Sequence, residues 1–129
     1  MAAGTETVLK DGAFLVSETD AKGVILFANK EFCDVAEYSV EELVGKPHNV
    51  VRHQDMPKAA FEDLWKTVKS GQVWQGYVKN KTSSGGYYWV YATVYPYKNE
   101  DGEQCYMSIR RKPSREDINK ATALYKTMS

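Results

Sequence analysis

The hydrophobic pattern changes its period at Gly71, and this change constrains the fold more than any other feature of the sequence. Before Gly71, apolar residues recur at i, i+3, i+4 and i+7, namely at Phe61, Leu64, Trp65 and Val68. That spacing predicts one amphipathic helix that begins near Pro57, with Asp55 as a plausible cap. Gly71 then ends the helix, because glycine tolerates the backbone conformations found just past a helix terminus.

After Gly71 the side chains alternate with a period of two, which predicts a strand over residues 73–80. One face of this strand carries Trp74, Gly76, Val78 and Asn80. An amide at the end of an apolar face must be satisfied if it is buried, and a planar ligand with donor and acceptor edges can satisfy it. The turn KTSSGG and a second alternating run over 87–95 complete a hairpin.

Further strands and short helices are predicted on both sides of this region. The strand candidates are 13–18, 24–29 and 104–111, and the first two form a hairpin through the turn TDAKG. Ser39 and Glu42 have the spacing of a helix capping box, and Ser114 marks the start of a terminal amphipathic helix. The fold class is therefore α+β, a five-stranded antiparallel sheet with short helices on one face and a C-terminal helix.

Size and charge exclude several classes of protein. The chain of 129 residues has room for one domain, and its 17 basic and 17 acidic side chains leave no net charge to attract nucleic acid or an anionic membrane. No apolar run approaches the roughly 18 residues needed to cross a bilayer. We therefore expect a soluble, cytoplasmic chain without direct membrane insertion, either complete or a soluble piece of a larger receptor.

The sequence shows none of the residue patterns that are typical of catalytic sites. Cys33 and Cys105 have no CxxC spacing and follow no secretory leader, so we expect buried free thiols in a reducing cytosol. The sequence contains no Ser/His/Asp arrangement, no metal-ligand spacing and no glycine-rich phosphate loop with a lysine. Enzymatic activity is therefore not expected.

Several segments resemble one family of sensor domains. The opening TDAKGVILFANKEFCDVAEYSVEELVGKP and the closing GYYWVYATVYP and GEQCYMSIRR resemble the hairpins and helices of PAS domains. The central PHNVVRHQDMPKAAFEDLWKTVKSGQVWQGYVKN closely resembles the FAD-binding PAS sensors of the bacterial aerotaxis receptor type, and the similarity extends from about Glu6 to Met128. It implies a PAS sensor domain over residues 1–112 and, over 113–129, a helix leading towards a signalling region that this chain does not contain.

The resemblance also implies which residues bind a non-covalent FAD: Arg52, His53, Asp55, Trp74, Asn80 and Asn29. Arg52 is suited to a pyrophosphate, and Trp74 offers an aromatic face or edge to the flavin ring. Asn80 can present a donor and an acceptor to the polar edge of the ring and can reorient when reduction adds a proton there. The strand register of the family places further residues in the same pocket: Val90, Ala92, Val94, Tyr106, Ser108 and Arg110.

Some positions have a plain structural alternative. Asn29 can equally end a strand by bonding to the backbone, and Trp65 lies on the helix stripe, where a core position is favoured. His48 is expected to be a turn residue. Trp89 should lie on the outer face of the sheet, in an aromatic patch that docks a partner, a second copy of the chain or the terminal helix.

Three functions remain open, and they differ in what the pocket holds. The first is a flavin redox or oxygen sensor, whose implied partners are a HAMP domain, a methyl-accepting signalling region and, indirectly, a chemotaxis kinase with its adaptor. The second is a haem gas sensor with His53 or His48 as the iron ligand, and the third is a cofactor-free interaction module. Photochemistry of the LOV type is not expected, because His48 stands where that group of domains places its reactive cysteine.

Overall fold

The computed structural model describes residues 4–128 and contains one five-stranded antiparallel sheet. The strands are β1 Leu15–Asp20, β2 Ile25–Ala28, β3 Trp74–Lys81, β4 Tyr87–Lys98 and β5 Gln104–Arg111. The helices are α1 Lys30–Ala36, α2 Val40–Leu43, a 3₁₀ helix His48–Val51, α3 Lys58–Lys69 and α4 Arg115–Lys126. The fold class expected from the sequence is confirmed.

The strand order is β2-β1-β5-β4-β3, so the two hairpins are joined through β5 at the centre of the sheet. In this register Val94 of β4 pairs with Trp74 of β3 on one side and with Ser108 of β5 on the other. Residues of even number on these three strands therefore share the inner face, as the alternation in the sequence predicts.

Helices α1, α2 and α3 cover the inner face and enclose the main core. Phe32, Leu43 and Val68 are buried at the contacts of these helices with the sheet. Ser39 and Glu42 form the predicted capping box of α2. The predicted cap of α3 is wrong: α3 begins after Pro57 without a side-chain cap, because the carboxylate of Asp55 bonds to Lys79 instead.

The terminal helix α4 packs back on the outer face of the sheet. Trp89, Ile118 and Ala121 are buried in this second cluster, and Tyr125 stacks on Trp89 with 6.3 Å between the ring centroids. Hence the chain's own helix covers the β3–β4 part of the predicted aromatic patch. A homodimer through the rest of this face remains a prediction.

The residues before β1 line the same edge of the outer face. The backbone N–H of Thr7 donates to Tyr87 O at 2.8 Å, and that of Tyr87 donates to Thr5 O at 3.1 Å. Glu6 pairs with Arg115 in the first turn of α4 at 2.9 Å. Within residues 4–128, no helix is both long and apolar enough to cross a membrane.

Candidate functional site

A cleft of about 530 Å³ opens between the inner face of the sheet, the 3₁₀ helix and α3. This volume lies within the range of pockets that hold small organic molecules. Its lining divides into a polar wall on the sheet, an apolar wall shared by α3 and the sheet, and a rim of charged side chains. Strands β3 and β5 contribute to both walls, and α3 contributes to the apolar wall and to the rim.

The polar wall is formed by inward-facing residues of three strands: Ser17, Thr19, Asn80, Ser108 and Arg110. Arg110 is only 6% exposed, yet it forms no ion pair within residues 4–128. Its Nε donates to Ser108 Oγ at 2.8 Å, and burial lowers the pKa of the guanidinium. A buried cation without a carboxylate partner is costly, and an anionic or strongly accepting ligand edge would lower that cost.

Asn80 lies beside Arg110 at the inner end of the cleft and is 2% exposed. When the amide is oriented to satisfy both of its neighbours, its Oδ1 accepts from Arg110 Nη1 at 2.7 Å and its Nδ2 donates to the carbonyl of Val51 at 3.1 Å. An amide has two donors and two acceptor lone pairs, so one of each remains for a ligand. The amide thus joins β5 to the 3₁₀ helix while presenting both functions to the cleft.

His48 also lines the cleft, so its prediction as a turn residue is wrong. It lies in the 3₁₀ helix, where its Nε2 makes a hydrogen bond of 2.9 Å with Ser17 Oγ and its ring meets Phe32 edge-on. Enclosure of the ring, and then the charge of Arg110, lower the pKa of His48 to about 3. The imidazole is therefore neutral at pH 7 and can either donate or accept a hydrogen bond.

The apolar wall combines side chains of α3 with side chains of the sheet next to the polar wall. It is formed by Phe61, Leu64, Trp65, Val78, Val94 and Tyr106. Trp65 meets Tyr106 edge-on with 5.4 Å between the centroids. Its position on the helix stripe favoured a place in the core, but the residue also forms part of the cleft wall. A flat ligand can lie against this wall and direct its polar edge towards Asn80 and Arg110.

Four cations and one carboxylate, that of Glu62, line the opening of the cleft, and the cations are Lys22, Arg52, Lys58 and Lys69. The guanidinium carbon of Arg52 lies 4.3 Å from the centre of the Phe61 ring, which orients the side chain along the wall. Arg52 forms no ion pair within the part of the chain that the structure describes. Its donors are therefore available to a phosphate.

Two residues of the motif that contains Arg52 lie outside the cleft lining. His53 accepts a hydrogen bond at Nδ1 from the backbone N–H of Asp55 at 2.9 Å, and its ring meets Tyr87 edge-on. Asp55 pairs with Lys79 at 2.7 Å, which lowers the pKa of the carboxyl group. Both side chains contact residues of the outer face of the sheet.

Trp74 and Asn29 are likewise absent from the lining. The indole Nε1 of Trp74 donates to Asp63 Oδ2 at 2.9 Å, and the ring lies over Gly76. Asn29 caps α1 by accepting from the N–H of Phe32, and its amide also bonds the backbone of β1. Of the six site residues taken from the resemblance, the cleft therefore brings together Arg52 and Asn80.

Sequence reasoning missed Ser17 and Thr19 as cleft residues and placed His48 in the pocket only under the haem alternative. The first two follow Leu15 on the inward face of β1, where hydroxyls at buried positions were the available signal. Both cysteines are free; Cys105 is buried as expected, whereas Cys33 is only half-buried. Within residues 4–128 no cluster of three or more metal-ligating side chains occurs.

Family comparison decides the class of this fold. The family model described as the PAS fold matches residues 25–109, which include β2, β3, β4, most of β5 and the whole α3 side of the cleft. The chain belongs to the PAS family. In this PAS domain the polar wall, the apolar wall and the rim all lie on elements of the family core, apart from Ser17, Thr19, Lys22 and Arg110.

Curated relatives include signalling proteins that are much longer. This PAS domain is 46% identical over 123 residues to the aerotaxis receptor of Escherichia coli (95% of this chain, 24% of the receptor). It is 28% identical over 106 residues to the nitrogen fixation regulatory protein of Klebsiella oxytoca (81% of this chain, 21% of that protein). The chain thus spans between a fifth and a quarter of the length of these relatives.

Solved structures confirm the architecture. The light-state LOV domain of the blue-light photoreceptor Aureochrome1 matches with a TM-score of 0.73 at 17% identity, over 88% of this chain and 91% of that one. A LOV domain studied with a flavin analogue matches with a TM-score of 0.74 at 17% identity, over 89% and 87%. At this identity the likeness concerns the fold alone.

Proposed function

We propose that this PAS domain is a flavin-binding redox or oxygen sensor of the aerotaxis-receptor type. The observation that carries the proposal is the pairing of Arg110 with Asn80 at the inner end of the cleft. Arg110 is buried, and within residues 4–128 no carboxylate pairs with it. The polar edge of a flavin carries carbonyl and ring-nitrogen groups that match these two side chains. The 46% identity to the E. coli aerotaxis receptor supports the same class of function.

The residues of the cleft fit a flavin in three respects. Asn80, Arg110 and His48 offer donors and acceptors to the polar edge of the ring, and Trp65 and Phe61 offer apolar faces to the ring itself. Lys22, Arg52, Lys58 and Lys69 surround the opening and suit a phosphate-bearing tail. The pyrophosphate of FAD can contact more of these cations than the single phosphate of FMN, so we propose FAD over FMN.

Bound flavin would supply reversible electron uptake accompanied by proton uptake at the ring. The protein contributes the response. If the flavin atom that faces Asn80 Nδ2 were to change from acceptor to donor, the amide would have to rotate to turn its oxygen towards that atom, and the rotation would disrupt its bonds to Val51 and Arg110. The 3₁₀ helix and β5 would thereby sense the oxidation state, and the domain needs no catalysis to do so.

We place the signalling partners outside this chain. The predicted HAMP domain, methyl-accepting region and chemotaxis kinase with its adaptor fit a chain that spans 24% of the aerotaxis receptor that it resembles. In this proposal the domain works in the cytoplasm as part of such a receptor. Helix α4 and the segment before β1, which lie together on the outer face, are the elements through which a change would leave the domain.

Titration of the deflavinated domain with FAD, FMN and riboflavin tests the proposal. Quenching of flavin fluorescence reports binding, and we expect affinity in the order FAD, FMN, riboflavin. Equal affinity for all three would contradict the role of the cationic rim. No binding of any of them, together with haem binding on addition of haemin, would replace the proposal with a gas sensor that uses His48.

A further inference from the structure

The segment from Arg52 to Met56 crosses the edge of β3, from the cleft to the outer face of the sheet. Arg52 pairs with Asn80 as an isolated antiparallel bridge, and the N–H of His53 donates to Lys79 O at 3.3 Å. The N–H of Lys79 in turn lies 3.2 Å from the sulfur of Met56. Arg52 therefore remains on the cleft side, while His53 and Asp55 lie on the other.

Side chains on the outer face of the sheet hold the 52–56 segment against β3. Lys79 Nζ lies 2.7 Å from Asp55 Oδ2 and 4.5 Å from the centre of the Tyr87 ring. The His53 ring meets the same tyrosine edge-on at 6.0 Å. The side chain of Lys79 is 14% exposed, so this cation is held between a carboxylate and an aromatic ring instead of extending into solvent.

We propose that Asp55 and His53 are positioning residues: with Lys79 and Tyr87 they form a clasp that holds the 52–56 segment on β3 and thereby keeps Arg52 in the cleft beside Asn80. This inference rests on the proposed function for its ligand, but the clasp itself is a property of the free protein. It explains why a motif associated with cofactor binding contains two side chains that do not line the cleft.

Local energetics support a positioning role. The segment is not part of α3, which begins only after Pro57 and without a side-chain cap. An ion pair with one exposed partner, here Asp55, contributes little to global stability, but it can decide whether a short segment opens. Val51, whose carbonyl receives the Asn80 amide, immediately precedes this segment, so opening would disturb both cleft residues.

The same clasp connects the cleft with the outer face. The backbone of Tyr87 pairs with Thr5 and Thr7, and its ring packs against the cluster of Trp89 and α4. A movement of the 52–56 segment would therefore reach the segment before β1 and α4 through one residue, Tyr87.

A charge exchange tests the proposal. The variants are Asp55→Asn, the double variant Asp55→Lys with Lys79→Asp, and Asp11→Asn, which removes a comparable ion pair with Lys112 far from the cleft. Two quantities are measured for each: FAD affinity, and amide hydrogen exchange of residues 51–56 in the ligand-free protein. We expect Asp55→Asn to weaken FAD binding about twofold to fivefold and to accelerate exchange in this segment. The double variant restores both, and Asp11→Asn changes neither.

Three results would overturn the proposal. Weakened binding with unchanged exchange would mean that Asp55 contacts the ligand directly. Weakened binding that the double variant fails to restore, although exchange recovers, would mean the same. Unchanged binding and exchange in Asp55→Asn would mean that the ion pair has no role. If the wild type binds no FAD, the proposed function fails, while the exchange measurements alone still decide whether the clasp exists.

Discussion

With its amide oxygen turned towards Arg110, Asn80 on β3 accepts a hydrogen bond of 2.7 Å from that residue on β5, so a buried amide and a buried cation orient each other across the intervening strand β4. Neither residue has a carboxylate to balance the charge within residues 4–128. The pair is therefore preorganised to accept an electron-rich edge without rebuilding the core. Its predicted effect on the midpoint potential of a bound flavin can be measured separately from the free energy of unfolding of the domain.

Removal of the Arg110 charge should make the bound flavin harder to reduce. A nearby cation stabilises the more electron-rich reduced form, and Arg110→Gln loses that stabilisation. We expect the midpoint potential to fall by about 30 mV or more, which corresponds to about 1.4 kcal/mol for a two-electron couple. Arg110→Lys retains the charge and serves as the control. An unchanged potential in Arg110→Gln would contradict the placement of the ring edge beside this residue.

Acid should destabilise the domain partly through His48. Its folded pKa of about 3 lies below the unfolded value, so the unfolded state binds the proton first and stability falls as the pH drops from about 6.5 towards 3. Between pH 6.5 and 5 one such proton accounts for at most about 2 kcal/mol. Urea denaturation at pH 7 and pH 5 should therefore show a smaller loss for His48→Gln than for the wild type. An equal loss would show that this imidazole titrates normally.

Removal of the Tyr88 hydroxyl and removal of the Tyr125 hydroxyl should have different effects on the free energy of unfolding. The Tyr88 hydroxyl is buried and has no hydrogen-bond partner within the described residues, whereas that of Tyr125 donates to Tyr77 O at 2.6 Å. We expect Tyr88→Phe to leave the free energy of unfolding unchanged or to raise it by about 1 kcal/mol, and Tyr125→Phe to lower it by about 1 kcal/mol. A loss in Tyr88→Phe as large as in Tyr125→Phe would reveal a partner for the buried hydroxyl.

Substitution of Gly76 should displace the indole of Trp74. A Cβ at position 76 would lie 2.5 Å from the Trp74 ring, closer than carbon atoms pack. Gly76→Ala should therefore destabilise the domain by about 1–3 kcal/mol and weaken the bond from Trp74 to Asp63. Thermal unfolding measures the first effect. Asp63→Asn, which weakens the same bond without a clash, should cost less than Gly76→Ala, and the reverse order would contradict this packing.

Periodicity predicted the fold because each element buries one face. The inner face of β3 from Trp74 to Asn80 and the stripe of α3 from Phe61 to Val68 both follow directly from burial, and both are confirmed. The cap of α3 was wrong because Asp55 finds a stronger partner in Lys79, a residue 24 positions away that local spacing cannot reveal.

The site was predictable where a residue type is unusual on its face. Asn80 and Arg110 are polar groups at inward positions of strands, and the structure places them in the cleft. His53 and Asp55 could not be separated from Arg52 in the sequence, because only the crossing of the β3 edge puts neighbouring residues on opposite faces. His48 was predicted as a turn residue because the 3₁₀ helix that turns it towards Ser17 has no clear sequence signature.

The central claim is that the cleft holds a flavin, and an absorption spectrum of the purified domain tests it most directly. The chromophore released on denaturation is identified by mass. We predict flavin absorption bands that bleach on reduction and return in air, with FAD as the released molecule. A Soret band, or a colourless protein that takes up no added FAD, would contradict the claim.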